Sequence, residues 1–287
     1  MKRLEEGKMK RMVRHKVKGF RTTDGAGVNL VRVLGNNTVH IYDPILMLDS
    51  FDSENPEEYT AGFPMHPHRG IETISLLSSG KMVHRDSLGN EDTITDGEVQ
   101  WMTAGSGILH EEKLPPSDRL LGVQLWLNMP RESKMASPEY YSIKKEQIEE
   151  IQIEGGTLRL ISGQYKEHGG FQGKYSPLDY YHIYLKANKK FTIEMEMDKS
   201  VLLFLLLGDA KVADEVISEK TAVKLSGGTS VDIEALDEDI QILYISSNKL
   251  DEPIVWGGPI VMNTREELEL AFRELENGNF LKENVDY

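Results

Sequence analysis

From about residue 28 to residue 126, apolar and polar positions alternate in short runs, with no helical period between them. The runs VNLVRVL (28–34), VHIYDPILML (39–48), IETISLL (71–77), KMVHRDS (81–87), DTIT (92–95), EVQWMTA (98–104), GILHEEK (107–113) and LLGVQLWLN (120–128) read as strands. Between them stand turn signals: GNN, SSG, LGNED, DG and GSG. Strands this closely spaced predict an antiparallel sandwich or barrel. Residues 129–150 lose the alternation, hold two prolines and many charges, and read as a linker ending in a polar turn or short helix. Strand patterns then resume at 157–165, 180–187, 191–197, 201–212, 221–226, 229–235 and 240–246, giving a second β block of about the same size.

The tail has a different period. Thr264 and Glu267 form a T-x-x-E capping box, Leu268, Phe272 and Leu275 share one face, and Gly278 is a stop signal. This predicts an amphipathic helix of about ten to twelve residues whose apolar face docks on a β domain. The expected division is a basic N-terminal segment (1–22), a first β domain (23–130), a linker (131–150), a second β domain (151–250) and a tail with a helix (251–287).

Composition narrows the chemistry. The 287 residues include no cysteine, which excludes disulfides, zinc–thiolate sites and a cysteine nucleophile. Histidine and carboxylate remain as the strong metal ligands. The longest apolar run, VLLFLLL (201–207), is strand length and far short of the ~20 residues of a membrane span. No apolar stretch follows the basic N-terminus, so no secretory signal is read and a cytoplasmic protein is expected. The net charge of −14 is uneven: nine Lys/Arg against Glu5 and Glu6 make residues 1–22 +7, leaving −21 for the rest. An acidic body repels phosphate, so no direct nucleic-acid binding is expected. The basic head reads as a frayed terminus or an upstream extension.

The candidate chemistry lies in MHPHRGIE and GSGILHEEK. In an extended segment His66 and His68 face one way, and Pro67 favours that conformation at His66. If the strand continued, Glu72 would share their face. His110 and Glu112 form a second i, i+2 pair. Both pairs border one hairpin-rich block and can converge inside one sandwich. Three imidazoles and a carboxylate suit a divalent ion such as iron, nickel, copper, manganese or zinc, with positions left open for substrate or oxygen. His84, His168 and His182 read as surface or hydrogen-bonded residues. Phe63, Met65, Trp101, Met102, Gln124 and Trp126 are candidates for an apolar lining with polar spots, the two tryptophans equally for core. Strand geometry does not choose between Glu72 and Glu112.

Taken together, HPHRGIETISLL, DGEVQWMTAGSGILHEE and GVQLWLNMP, with the tail EPIVWGGPIVMNTREELELAF, resemble the pirin family of bicupins over nearly the whole chain from about residue 20. The resemblance implies an all-β fold of two tandem cupin barrels or sandwiches with a C-terminal amphipathic helix, the second cupin having lost its metal. It also implies a ligand set. Cupins in general use the first-motif glutamate, here Glu72; pirins use the one after the second-motif histidine, here Glu112. The resemblance therefore favours His66, His68, His110 and Glu112 as metal ligands, with Glu112 also the catalytic base. Glu72, Phe63, Met65 and Gln124 take supporting or pocket positions.

The implied metal is Fe(II), with Mn, Ni, Co, Cu and Zn compatible with the donors. The implied activity is that of a flavonol (quercetin) 2,3-dioxygenase. A carboxylate helps remove the substrate's hydroxyl proton, dioxygen attacks the ring, and cleavage releases carbon monoxide. The partners expected are a small aromatic substrate and dioxygen, with no membrane and a monomeric chain. The alternative is an iron-dependent, redox-sensitive regulatory protein that binds a transcription factor or metabolic enzyme without turnover. A cupin sugar isomerase or epimerase is a third reading, against which the pirin-like tail argues.

Overall fold

A computed structural model describes residues 9–283, so residues 1–8 of the basic head and the last four residues of the tail lie outside it. The chain forms two compact units, each discontinuous in sequence. The first comprises residues 19–148, 174–176 and 250 onward; the second comprises residues up to 18, 149–173 and 177–249. Among the described residues both units have the same plan, a 7-stranded antiparallel sheet and a 4-stranded one. No described helix is long and apolar enough to cross a membrane.

In the first unit the 7-stranded sheet runs Glu139–Ile143, Val99–Thr103, Ile71–Ser79, Leu120–Asn128, Ile45–Ser53, Val28–Leu34 and Phe20–Asp24. The 4-stranded sheet runs Phe63–His68, Ile108–Lys113, Met82–Asp86 and Glu91–Ile94. Side chains of both sheets share a core that includes Leu30, Phe51, Leu77, Met82, Ile94 and Leu120. In the second unit aliphatic and aromatic side chains fill the interior, among them Leu203, Leu205, Ile242 and the ring stack of Tyr181 on Tyr244.

Most strand predictions hold within a residue or two, and Val28–Leu34 and Leu120–Asn128 match throughout. Three expectations change. The run 39–48 begins with a helical turn, Val39–Tyr42, and only Ile45–Ser53 is strand, because Pro44 has no N–H for a ladder. The expected linker is part of the first unit. Its strand Glu139–Ile143 closes one edge of the 7-stranded sheet. Its Lys134 is buried, with Nζ donating to Gly70 O at 2.8 Å, Asn128 Oδ1 at 2.6 Å and Val261 O at 3.0 Å.

The described part of the basic head is not frayed. Val13–Lys18 pairs with Thr221–Leu225 of the second unit. Its residues alternate between half-buried and exposed, the pattern of a strand with one face covered. Ahead of it Arg11 is buried, its guanidinium donating to the carbonyls of Gly228, Lys199, Ser226, Glu196 and Met197. A cationic side chain folds against the protein here because its donors all find acceptors.

The tail belongs to the first unit. Helix Arg265–Glu276 starts at the Thr264/Glu267 capping box and ends at Asn277. Leu268 and Leu275 pack with Ala271 against Ile260 and Met262 of the hairpin Val255–Gly257/Ile260–Met262.

Two predictions follow from the anchored head. Arg11→Met keeps the stem but strands five carbonyls, so urea denaturation should show a loss of ~3–5 kcal/mol. Asp232 holds Lys10 at 2.5 Å and Lys190 at 2.9 Å. The Lys10 hydrogen bond chiefly holds its carboxyl well below the ordinary carboxylate range. Because the folded value is depressed, this stabilisation is present above the unfolded pKa of ~3.9 and is lost as pH falls through that value toward the folded one. The stability difference between wild type and Asp232→Asn should therefore shrink as denaturation is repeated from pH 7 downward through ~4.

Candidate metal centre

The strand Phe63–His68 is an edge strand, which is where Pro64 and Pro67 can be tolerated. It pairs with Ile108–Lys113 so that His110 lies opposite His66, and Ile108 opposite His68. A bulge between His110 and Glu112 sets Glu112 against Phe63. On its other side Ile108–Lys113 pairs with Met82–Asp86, placing His110 beside Asp86 and Glu112 beside His84. Residues two apart on each strand share a face, so three strands deliver His66, His68, His84, Asp86, His110 and Glu112 to one region.

The ring centroids of His66, His68 and His110 lie 4.4–5.0 Å apart, and one ring nitrogen from each falls within 4.8 Å of the others. His66 Nδ1 lies 2.8 Å from Pro64 O, and His68 Nδ1 lies 2.9 Å from Pro259 O. A carbonyl only accepts, so both Nδ1 atoms carry protons. In neutral rings the Nε2 atoms then present lone pairs to each other across 3.0 Å. His110 Nε2 is buried and has no hydrogen-bond partner. Burial, with repulsion from neighbouring histidines, lowers the pKa of His68 to about 3 and that of His110 well below the ordinary value. Both imidazoles are thus neutral, with free lone pairs. Facing lone pairs and a buried, unpartnered ring nitrogen fit a divalent cation.

Glu112 is buried in this region. Its carboxylate accepts from the Gln100 amide and, at 2.8 Å, from Gln124 Nε2. It forms a second ligand-capable group with His84 and His110. Glu72 joins neither group. Gly70, at φ 78°, ends the extended run, and Glu72 continues on a strand of the other sheet. There its carboxyl accepts from Thr103 Oγ1 at 2.7 Å and from Trp101. Burial outweighs these bonds and raises its pKa. The local turn therefore separates the glutamate that seemed closest in sequence.

The other candidates divide. Gln124 points at Glu112. Phe63 packs edge-on to Phe51 at the core margin, and Met65 is 40% exposed. Trp101 is fully buried, whereas Trp126 lies edge-on to His68 at 4.8 Å. His168 bonds Glu149, and His182 is buried against Gln241. Among the described residues, no metal-capable group occurs in the second unit.

Sequence reading missed two sets of contributors. His84 is fully buried, bonded to Asp86, and stacked on Tyr140. The H-x-D spacing in VHRD was the available signal, being the same i, i+2 pattern as H-x-E. The tail supplies Pro259 O to His68 and Trp256 to the face of Trp126, at 5.8 Å. Arg69 secures that tail: Nη1 bonds Glu274 at 2.8 Å, Nη2 bonds Phe280 O at 2.8 Å, and the guanidinium lies over the Phe280 ring. Gly70 lets the tail pass, since a Cβ there would stand 2.1 Å from Val261 O.

The Pirin family model matches residues 27–127, and the model for the pirin C-terminal cupin domain matches residues 180–281. A pirin-like protein of Caulobacter vibrioides is 38% identical over 92% of this chain and 97% of its own length. Pirin of Homo sapiens is 35% identical over 89% and 90%. The crystal structure of a quercetin 2,3-dioxygenase from Acinetobacter baumannii superposes with a TM-score of 0.87 at 31% identity, covering 94% of this chain and 98% of that one.

The two carboxylates should behave differently on substitution. Glu112→Gln should lower metal affinity by more than the ~10–100-fold that loss of an outer hydrogen-bond partner costs. Glu72→Gln keeps the size of the side chain and an oxygen for Thr103 to donate to, and should stay within a few-fold of wild type. Metal analysis of the two purified variants measures this; metal kept by Glu112→Gln and lost by Glu72→Gln would reverse the assignment.

Proposed function

The chain belongs to the pirin family, and from that premise we propose that it is a metal-dependent dioxygenase of the quercetin 2,3-dioxygenase type, using Fe(II) on a flavonol-like substrate. The observation that carries the reading is the cluster of His66, His68 and His110 on two adjacent strands, with Glu112 two residues beyond His110 in a second ligand-capable group that shares it. His66, His68, His110 and Glu112 would hold the metal. When bound, it would supply a Lewis acid for the substrate's hydroxyl and a redox partner for dioxygen.

The chain's own residues do the rest. His66 is only partly buried while His68, His110 and Glu112 are buried, so a solute approaches from the His66 side. Trp126 and Trp256 form an aromatic wall beside His68, which suits a flat ring system. Glu112 takes the hydroxyl proton, its carboxylate aimed by the amides of Gln100 and Gln124. Ser75 Oγ accepts from Gln124 at 3.2 Å and from Gln100 at 3.4 Å, so both amides are themselves fixed. The likeness to a solved quercetin 2,3-dioxygenase supports the same reading.

The test is aerobic loss of a flavonol's visible absorbance with the chain loaded in parallel with Fe(II), Mn, Ni, Co or Cu. Turnover with at least one metal, abolished by His66→Ala, is expected. No turnover with any of them, while His66→Ala still abolishes metal binding, would sink the enzyme reading. Metal-dependent capture of a protein partner would then favour the regulatory one.

A further inference from the structure

His110 stands at the end of a second line of polar contacts that points away from His66 and His68. His110 Nδ1 lies 3.4 Å from His84 Nδ1, and His84 Nε2 lies 2.9 Å from Asp86 Oδ2. Asp86 in turn accepts from three further donors: Leu88 N at 2.9 Å, Asn90 N at 3.1 Å, and Asn90 Nδ2 at 3.2 Å to Oδ1 and 2.9 Å to Oδ2. The His84 ring is stacked on Tyr140 at 4.2 Å and 13°. His84 and His110 are buried and the Asp86 side chain is fully covered.

Proton positions follow from this geometry. An ionised carboxylate only accepts, so His84 carries its proton on Nε2 and donates to Asp86. A neutral His84 then offers a lone pair at Nδ1. His110 donates its Nδ1 proton there and is left with a bare Nε2, the atom that has no protein partner. Each tautomer fixes the next, much as a buried carboxylate fixes an imidazole in a hydrolase triad. We infer that Asp86 and His84 are positioning residues that hold His110 in its metal-binding tautomer and raise its donor strength. The inference rests on the metal reading of the His66–His68–His110 cluster.

Asp86→Asn makes the relay directly testable. The backbone donors at Leu88 and Asn90 hold the oxygen at Oδ1, so the new amide NH₂ takes the place facing His84. His84 Nε2 must then accept, which moves its proton to Nδ1. That proton faces His110 Nδ1, and His110 can accept it only by moving its own proton to Nε2, the metal-facing atom. A nearly isosteric change at a residue that is not itself a proposed ligand should therefore block one.

Three measurements decide it. In the metal-free wild type, long-range ¹⁵N–¹H correlation spectra should show His84 protonated at Nε2 and His110 at Nδ1, and Asp86→Asn should invert both. Calorimetry with Co(II) should give one ion per wild-type chain and ~10–100-fold weaker binding to Asp86→Asn. The Fe(III)/Fe(II) potential should rise in the variant, because a weaker donor favours the reduced ion. His84→Phe keeps the ring on Tyr140 but offers His110 no acceptor; it should also weaken Co(II) binding, and it decides the matter if Asp86→Asn does not fold. The opposite tautomers in the wild type would overturn the inference. So would wild-type affinity and potential in the variants, or two Co(II) ions per chain, which would put a cation between His84, His110 and Glu112 where the relay needs a proton. Failure of the metal reading itself would show separately, as a wild type that binds no Co(II).

Discussion

Two imidazole lone pairs held 3.0 Å apart are the constraint on which the first unit turns. Left to themselves, the rings would rotate or one would take up a proton. Rotation is restrained because each Nδ1 is tied to a carbonyl, one local at Pro64 and one distant at Pro259. Burial adds to this by making a protonated His68 or His110 costly. The protein thus maintains an arrangement that a shared cation would relieve. HPHRG carries much of that work in five residues. Two histidines present nitrogen, two further residues shape and turn the strand, and Arg69 reaches the other way to secure the tail that supplies the Pro259 carbonyl.

The two units show how little of this comes from the fold. Both use a 7-stranded and a 4-stranded sheet with antiparallel neighbours. In the second unit aliphatic side chains and stacked tyrosines occupy the interior, and His182, though buried, meets Gln241 and Tyr184 rather than other imidazoles. The same scaffold gathers apolar side chains in one case and adds a cluster of imidazoles and a carboxylate in the other. The difference lies in which side chains the inward face of each strand carries, as expected when chemistry is grafted on a common architecture.

What the sequence made legible follows the range of the interactions. Period-two alternation is local, so the strand runs, the two β blocks and the pairs His66/His68 and His110/Glu112 could be read directly. The capping box gave the terminal helix for the same reason. The fate of Glu72 was not readable, because it depends on the single left-handed residue Gly70 that ends one strand and starts another in a different sheet. Val13–Lys18 looked like a solvated basic terminus since its partner strand lies some two hundred residues away. His84 and Asp86 share a local signature, but His84 alone reads as a surface or hydrogen-bonded residue and Asp86 carries no signal of its own. Only the register that sets them against Glu112 and His110 connects them to the centre.

The long-range contacts also determine when a complete centre can exist. His68 needs Pro259 O, and the hairpin bearing Pro259 is packed under a helix that reaches Glu276. Arg69, the next residue along, is satisfied only when Glu274 and the Phe280 carbonyl are present. An N-terminal fragment ending in the expected linker would contain every proposed metal ligand. It would nevertheless leave His68 Nδ1 without its acceptor and a buried guanidinium without two of its partners. The ligands are encoded within 47 residues, from His66 to Glu112, but their fixed geometry requires the chain almost to its end. The centre is therefore better described as a property of the whole first unit, tail included, than of the two motifs that announce it.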